Sequence, residues 1–247
     1  MLELSRVTKS FGGIRAVDDV SFTVLEQSIT ALIGPNGSGK TVTFNLITGL
    51  SRLDGGQIRF RGPRIDGLRP DRIALCGIAR TFQHLKVFPE FTVAENLALV
   101  RQARPLGSSL ASLLPVRTAV AEAPDAEELL AFVGLVGKRH HPAGSLSYGQ
   151  QKLLALVGLL TMEPRPSLIL LDEPMAGINP TLITTLVELI RKYRTLGRTF
   201  FIVEHDMGVV MDLCDRLIVL DHGRKIAEGR PDEIRMNADV IEAYFGR

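Results

Sequence analysis

Short apolar runs, each stopped by glycine or by acidic residues, recur along the chain. ITALI at 29–33, LILL at 168–171 and TFFIV at 199–203 are the clearest. Runs of this length, rich in β-branched and aromatic residues, predict buried strands. Each is followed by a stretch with helical spacing of apolar residues: TVTFNLIT, PTLITTLVELIRKYRTLG and MGVVMDLCD. Strands alternating with helices predict a largely parallel sheet with helices on its faces. At the front, LELSRVTKSF and AVDDVSFTV flank Gly12-Gly13 and predict a small antiparallel sheet. GGQIRF reads as a short strand, GLRPDRIALCG as a short amphipathic helix and GIARTFQH as a compact strand ending at Gln83. DRLIVLDHGRKIAEGRP predicts a hairpin turning at Asp221–Gly223, and DEIRMNADVIEAYFG closes the chain with short helical pieces.

Residues 84–145 follow a different pattern. Thr92, with Glu95 three positions on, predicts a capped helix start. DAEELLAFVGLVG is amphipathic, and the stretch between is irregular and weakly helical. Strand signals are absent, so a helical lobe is expected here. It continues into the helix after 147, LSYGQQKLLALVGLLTM, whose start Ser147 marks. The expected organisation is one domain over 1–247. Its α/β core is 1–83 plus 146–247, with the antiparallel subdomain at its N-terminus and 84–145 inserted as the lobe. No internal repeat is visible, so one such unit is present and not two.

Composition narrows the class without naming it. The chain has 247 residues, 45% hydrophobic and 23% charged, with a formal net charge of +2. That balance is ordinary for a soluble globular protein and offers no basic block for nucleic acid. Cys76 and Cys214 lack metal-ligand spacing and read as buried thiols in a reducing compartment. His84, His140, His141 and His222 also fit no ligand spacing. The N-terminus lacks a signal peptide's apolar core, and no apolar run reaches membrane-spanning length. The expected location is cytoplasmic, with any membrane reached through a partner.

Chemistry concentrates at the ends of the predicted strands. After ITALI, Gly34, Pro35, Asn36, Gly37, Ser38, Gly39, Lys40 and Thr41 satisfy GxxxxGKS/T in the strand–loop–helix setting that pattern requires, with Val42 next. Glycines let backbone N–H groups converge on a phosphate and the helix start favours an anion. Lys40 can bridge β- and γ-phosphates, and Thr41 can offer a hydroxyl to Mg²⁺. The chain therefore reads as binding a nucleoside triphosphate. After LILL stand Asp172, suited to the Mg²⁺ shell, and Glu173, suited to polarising water toward the γ-phosphate. Gln83 is either a ligand of Mg²⁺ and sensor of that water or a solvated polar residue. Phe11 is either an exposed ring able to stack on a purine or a core residue of the small sheet. His205 ends the third strand.

Gly34–Thr41, Gln83, LSYGQ at 146–150, LILLDEP at 168–174, MAGINP at 175–180 and His205 together resemble the ATP-binding cassette (ABC) ATPases. The likeness spans essentially the whole chain, in the expected order. FGGIRAVDDVSF, GIARTFQ, FTVAENL, LSYGQQ, EPMAGINP, VEHDM and VIEAYFG narrow it toward the larger ATPase subunit of branched-chain amino-acid importers. The resemblance implies a P-loop α/β core with mainly parallel sheet, an antiparallel β-subdomain and an inserted helical lobe. It also implies roles: Phe11 on adenine, Gln83 linking Mg²⁺ and water to the lobe, and His205 on the γ-phosphate. Ser147, Gly149 and Gln150 would close on the nucleotide of a second subunit, which Asn179 also reaches. Implied partners are a second ATPase, identical or not, two membrane permeases and an extracytoplasmic solute-binding protein; nucleic acid is not among them.

The sequence departs from the family pattern in places. Tyr148 replaces the usual central glycine of the signature. Ala155 and Gly158 stand where many members carry glutamate and arginine, and Gln27-Ser28 replaces Gly-Glu. A glycine in a helix interior costs about 1 kcal/mol relative to alanine. A DNA-repair ATPase would need a coiled coil or zinc insert between Gln83 and Ser147, a translation factor two cassettes, and a small-molecule kinase no LSYGQ. A transporter motor for branched-chain or related amino acids is the expected function. Urea or short amides are the alternative cargo.

Overall fold

The computed structural model describes residues 1–81, 87–102, 124–162 and 165–245. The chain falls into two compact units, one of Met1–Arg80, Ser167–Pro174 and Arg191–Arg247, the other of Thr81–Pro166 and Met175–Ile190.

In the first unit, β1 (Leu2–Phe11) pairs antiparallel with β2 (Ile14–Val24) through the Gly12-Gly13 turn. The next strand, β3 (Ile29–Ile33), leaves for a second sheet, whereas β4 (Gly55–Phe60) returns to the other edge of β1. The second sheet adds β5 (Ile78–Arg80), β6 (Leu168–Asp172), β7 (Thr199–Val203), β8 (Arg216–Asp221) and β9 (Arg224–Gly229). Its order is β5-β6-β7-β3-β8-β9, parallel through β8 and antiparallel only at the final hairpin. Every residue of β3, β6 and β7 is buried, the usual state of strands in a parallel sheet covered on both faces. Phe22, Phe44 and Phe201 meet in the core, the first and third 5.6 Å apart and the second and third 5.1 Å apart.

Register decides where the chemistry falls. Val203 pairs with Leu32 on one side and with Asp172 on the other, so the carboxyl ends of β3, β6 and β7 are level. Loops leaving those ends share one edge of the sheet, where open α/β sheets bind ligands. The helix after β3, α1 (Lys40–Ile47), starts there, and α2 (Pro70–Leu75) precedes β5.

The second unit is helical: α3 (Val93–Gln102), α4 (Pro124–Phe132), α5 (Tyr148–Thr161) and the first part of α6 (Pro180–Thr195). Thr92 and Glu95 exchange the hydrogen bonds of a capping box, with the Thr92 N–H donating to Glu95 Oε2 at 2.8 Å and the Glu95 N–H to Thr92 Oγ1 at 3.2 Å. A Cβ at Gly158 would stand 3.4 Å from Val100, an ordinary van der Waals contact, so the packing of α3 on α5 does not demand glycine there.

Two sequence expectations change and one open alternative is decided. The strand of GIARTFQH stops at Arg80, short of Gln83, which with 103–123 lies outside the described residues. Cys76 is exposed, because α2 buries only Ile73 and ends at that cysteine; Cys214 is buried as expected. Phe11 is half exposed and not a core residue, since it lies at the tip of β1 where the turn begins.

Candidate active site

The loop after β3 takes its path from its glycines. Gly34 has φ +147 and Gly39 φ +102; a Cβ on the first would collide with the Leu220 carbonyl and on the second with the Ala16 carbonyl. Only glycine fits where backbone approaches backbone this closely. The hairpin turn between β8 and β9 braces the loop from outside. Its Gly223 N–H donates to Ser38 O at 3.1 Å, and the Asp18 N–H donates to Gly223 O at 2.8 Å.

Lys40 is buried inside this loop and donates to the Gly34 and Pro35 carbonyls, both at 2.8 Å. Burial lowers its pKa, with Glu173 and Asp172 opposing that shift. Its ammonium thus holds the loop in shape through contacts that a phosphate can replace. Thr41 is exposed beside it, Val42 is half-buried, and Asn36 and Gly37 face solvent. A cleft of 520 Å³ borders Pro35, Asn36, Gly37 and Ser38, and is closed by His222 and Tyr244.

At the end of β6, Asp172 is buried and Glu173 adopts φ +48. A glutamate in the left-handed region costs about 1–3 kcal/mol, and such strain concentrates at functional sites. The Glu173 N–H is held by the Val203 carbonyl at 2.9 Å, which fixes the bend. Beyond β7, buried Glu204 accepts the His205 N–H at 2.8 Å through Oε2. His205 Nε2 then reaches Glu173 Oε1 at 3.0 Å. An ionised carboxylate only accepts, so the imidazole donates and orients it. A carboxylate fixed in this way is placed to take a proton from water.

Thr41 and Asp172 offer hard oxygens of the kind Mg²⁺ prefers. Among the described residues no group of three His, Cys, Asp or Glu is suited to a metal. The two oxygens suit an ion held by one or two protein groups plus substrate phosphates. Phe11, half exposed at the tip of β1, has Lys9 Nζ 5.2 Å from its ring centroid.

The signature residues lie in the helical unit. Ser147 is the N-cap of α5: its Oγ accepts from the Gln150 N–H at 3.3 Å, while its own N–H donates to Gln150 Oε1 at 3.2 Å. Lys138 Nζ, 3.0 Å from that oxygen, fixes the amide further. Gly149 is buried against Ile178 and Leu182, where a Cβ would stand 2.7 Å from Leu182 Cδ1. Tyr148 is exposed, and its ring lies against Gly177 with Lys152 Nζ 5.2 Å from the centroid. Replacing the usual glycine by tyrosine therefore alters the surface and leaves the cap intact. Asn179 Oδ1 accepts from the Leu182 N–H at 3.0 Å, capping α6. Exposed Ser147 at a helix N-terminus is a donor site for an anion.

A nucleotide-binding loop, a strand-end carboxylate oriented by histidine and a capped LSYGQ helix occur together in few protein classes. The family model described as ABC transporter matches residues 17–176. The chain belongs to the ABC transporter family. A second model, branched-chain amino acid ATP-binding cassette transporter, matches residues 224–247. The chain is 42% identical to the high-affinity branched-chain amino acid transport ATP-binding protein BraF of Pseudomonas aeruginosa, over 100% of this chain and 98% of that protein. The ADP conformation of MJ1267, an ATP-binding cassette of an ABC transporter, superposes with a TM-score of 0.84 at 33% identity, covering 100% and 99% of the two chains. The cassette MJ0796, solved as a dimer bound to ADP and Pi, matches with a TM-score of 0.76 at 26% identity, covering 94% and 99%. This ABC cassette is thus an ATP-binding ATPase with the P-loop α/β fold.

Some site residues escaped sequence reasoning. Arg80 lies within GIARTFQ, yet nothing in a lone arginine at a strand end announces that it pairs with Asp172 at 2.8 Å. Tyr244 lines the cleft from the C-terminal helix (Ala238–Phe245), and its hydroxyl accepts from the Gly34 backbone. Burial pushes its pKa up to about 12. The 210 residues separating Gly34 from Tyr244 put that contact beyond any local pattern.

Proposed function

We propose that this cassette powers the import of branched-chain amino acids through two membrane permeases, using Mg²⁺ with ATP. The observation that carries the hydrolytic reading is the His205–Glu173 contact at level strand ends beside the phosphate loop. The names of its relatives and the match of its C-terminal segment support the cargo.

In the proposed cycle the loop Gly34–Thr41 receives the triphosphate, and Lys40 exchanges carbonyls for phosphate oxygens. Phe11 stacks on the adenine. Thr41 and Asp172 would hold Mg²⁺, with Gln83 a further candidate oxygen ligand, and the ion would supply charge neutralisation to the phosphates. Glu173 accepts a proton from the water whose oxygen attacks the γ-phosphorus, and ADP departs. His205 keeps Glu173 in place through its Nε2–H, beside the position of the γ-phosphate. Ser147, Gly149 and Gln150 of a second cassette present a helix N-terminus to that same phosphate, so closure of the pair depends on it.

Attachment to the membrane is assigned to the permeases. Among the described residues no helix is long and apolar enough to cross a bilayer. Phe88 and Phe91 are exposed and stacked with centroids 5.7 Å apart, on a loop held by the Asn96 amide through the Phe88, Phe91 and Thr92 carbonyls. Such a rigid apolar patch suits a permease helix.

Co-expression with candidate permeases and a second ATPase, reconstitution in liposomes and addition of a candidate solute-binding protein tests this. ATP-dependent uptake of leucine, isoleucine or valine is expected. Uptake of urea or an amide with none of these three would overturn the cargo assignment.

A further inference from the structure

Arg80 occupies a place that the hydrolytic scheme leaves unexplained. It is the last residue of β5, and its register partner in β6 is Leu170, two positions before Asp172. From there the guanidinium reaches the carboxylate: Nη2 donates to Asp172 Oδ2 at 2.8 Å, with side-chain exposures of 6% and 1%. Its other arm turns to α1. Nη1 donates to Asn45 Oδ1 at 2.8 Å and to the Thr48 hydroxyl at 3.2 Å, and the group lies 5.4 Å from the centroid of the Phe44 ring. One buried fork therefore ties the end of β6 to the helix that begins at Lys40 and Thr41.

A buried ion pair is weak evidence of stabilisation, since an apolar pair of similar volume commonly serves as well or better. What the fork does supply is direction. Lysine is a point charge on a flexible stem, whereas a planar guanidinium fixes several acceptors at defined angles. Here those acceptors are one carboxylate oxygen and two groups on the helix of the phosphate loop. Asp172 consequently cannot rotate independently of α1. Oδ2 is committed to Arg80, which fixes the plane in which the carboxylate can meet a metal or its water shell.

We propose that Arg80 is a positioning residue for the Mg²⁺ that accompanies ATP, setting the Asp172 carboxylate against Thr41 on the adjoining helix. The claim rests on the assignment of Mg²⁺ to Asp172 and Thr41 above. Charge alone would act the other way. Removing a cation beside the metal site favours a divalent ion, so a weaker metal after its removal reports lost orientation.

The test measures binding, not turnover. A fluorescent ATP analogue is titrated onto wild type, Arg80→Met, Arg80→Lys and Asn45→Ala, first in EDTA and then at rising Mg²⁺, after a thermal melt shows each protein folded. Metal-free nucleotide affinity should stay within about twofold in all four, because Arg80 and Asn45 are not proposed to touch the nucleotide. The Mg²⁺ concentration giving half the metal-dependent signal should rise at least about fivefold in both Arg80 variants and by a smaller factor in Asn45→Ala. Arg80→Lys keeps the charge and loses the fork, so it separates orientation from charge even if Arg80→Met does not fold. A wild-type midpoint in folded Arg80→Lys, tighter Mg²⁺ in Arg80→Met, or an equal loss of affinity in EDTA would overturn the proposal. A wild type indifferent to Mg²⁺ would instead overturn the metal assignment beneath it.

Discussion

The two units of the chain arrange their polar groups in opposite ways. In the first, charged side chains are buried and partnered before any ligand arrives: Lys40 on loop carbonyls, Asp172 on Arg80, and Glu204 under the backbone of His205. In the second, Ser147 and Asn179 are exposed and shaped by helix capping, with Ser147 bonded to half-buried Gln150 and Asn179 to its own helix. Burial preorganises charge where bonds are broken, since a fixed environment need not rearrange during reaction. Exposure suits a surface that must meet another molecule and leave it again. Changes in the first unit should therefore act on a single chain, and changes in the second only on a pair.

The largest effect is expected at Glu173. Glu173→Gln keeps the shape and the His205 contact but removes the proton acceptor, so turnover should fall by about 10²–10⁴. Nucleotide affinity should remain near wild type. Stopped-flow binding beside steady-state hydrolysis checks both, and full turnover in this variant would remove Glu173 from the mechanism. Lys40→Ala sharpens the contrast within the same unit. Its ammonium meets phosphate in both ground and transition states, so affinity should fall along with rate, by about tenfold to a hundredfold for a lost charge-assisted contact. An unchanged dissociation constant by calorimetry would contradict the role given to the loop.

Changes in the helical unit should be silent in the isolated chain. Phe88→Ala with Phe91→Ala should leave basal hydrolysis within about twofold while abolishing its stimulation in permease-containing liposomes. Burial of two rings at an interface centre is worth about 2 kcal/mol or more, enough to lose a moderate complex. Basal activity falling as far as stimulated activity would place the rings in the fold and not at a docking surface.

The smallest effect separates the two thiols. Burial, aided by Asp215 and Glu204, pushes Cys214 up to about 12, so at pH 8 its thiolate is scarce as well as inaccessible. Cys76 is exposed. A thiol reagent on the native protein should modify Cys76 within minutes and reach Cys214 only on unfolding. Two equal fast phases would mean that the packing around Cys214 has been misjudged.

Legibility in the sequence follows the same division. Strands β3, β6 and β7 were readable because burial on both faces leaves an unbroken apolar run, and the loop after β3 because its spacing is unusually specific. The caps at Thr92 and Ser147 were readable because their partners lie three residues away. What could not be read was contact between distant segments. The Arg80–Asp172 pair spans 92 positions and depends on the register between β5 and β6. The strain at Glu173 arises from the way its amide is held by β7, which no pattern in LILLDEP encodes.

The central claim is that a working site is shared between two chains, and association at fixed nucleotide tests it most directly. Glu173→Gln with Mg²⁺ and ATP, followed by sedimentation velocity, should pass from monomer to dimer. Ser147→Arg added to it should bind ATP as before and stay monomeric, because a bulky cation replaces the small hydroxyl at the helix N-terminus facing the partner's phosphate. A dimer that forms equally with and without Ser147→Arg, or wild-type hydrolysis per chain that persists undiminished in a demonstrated monomer, would contradict the shared site.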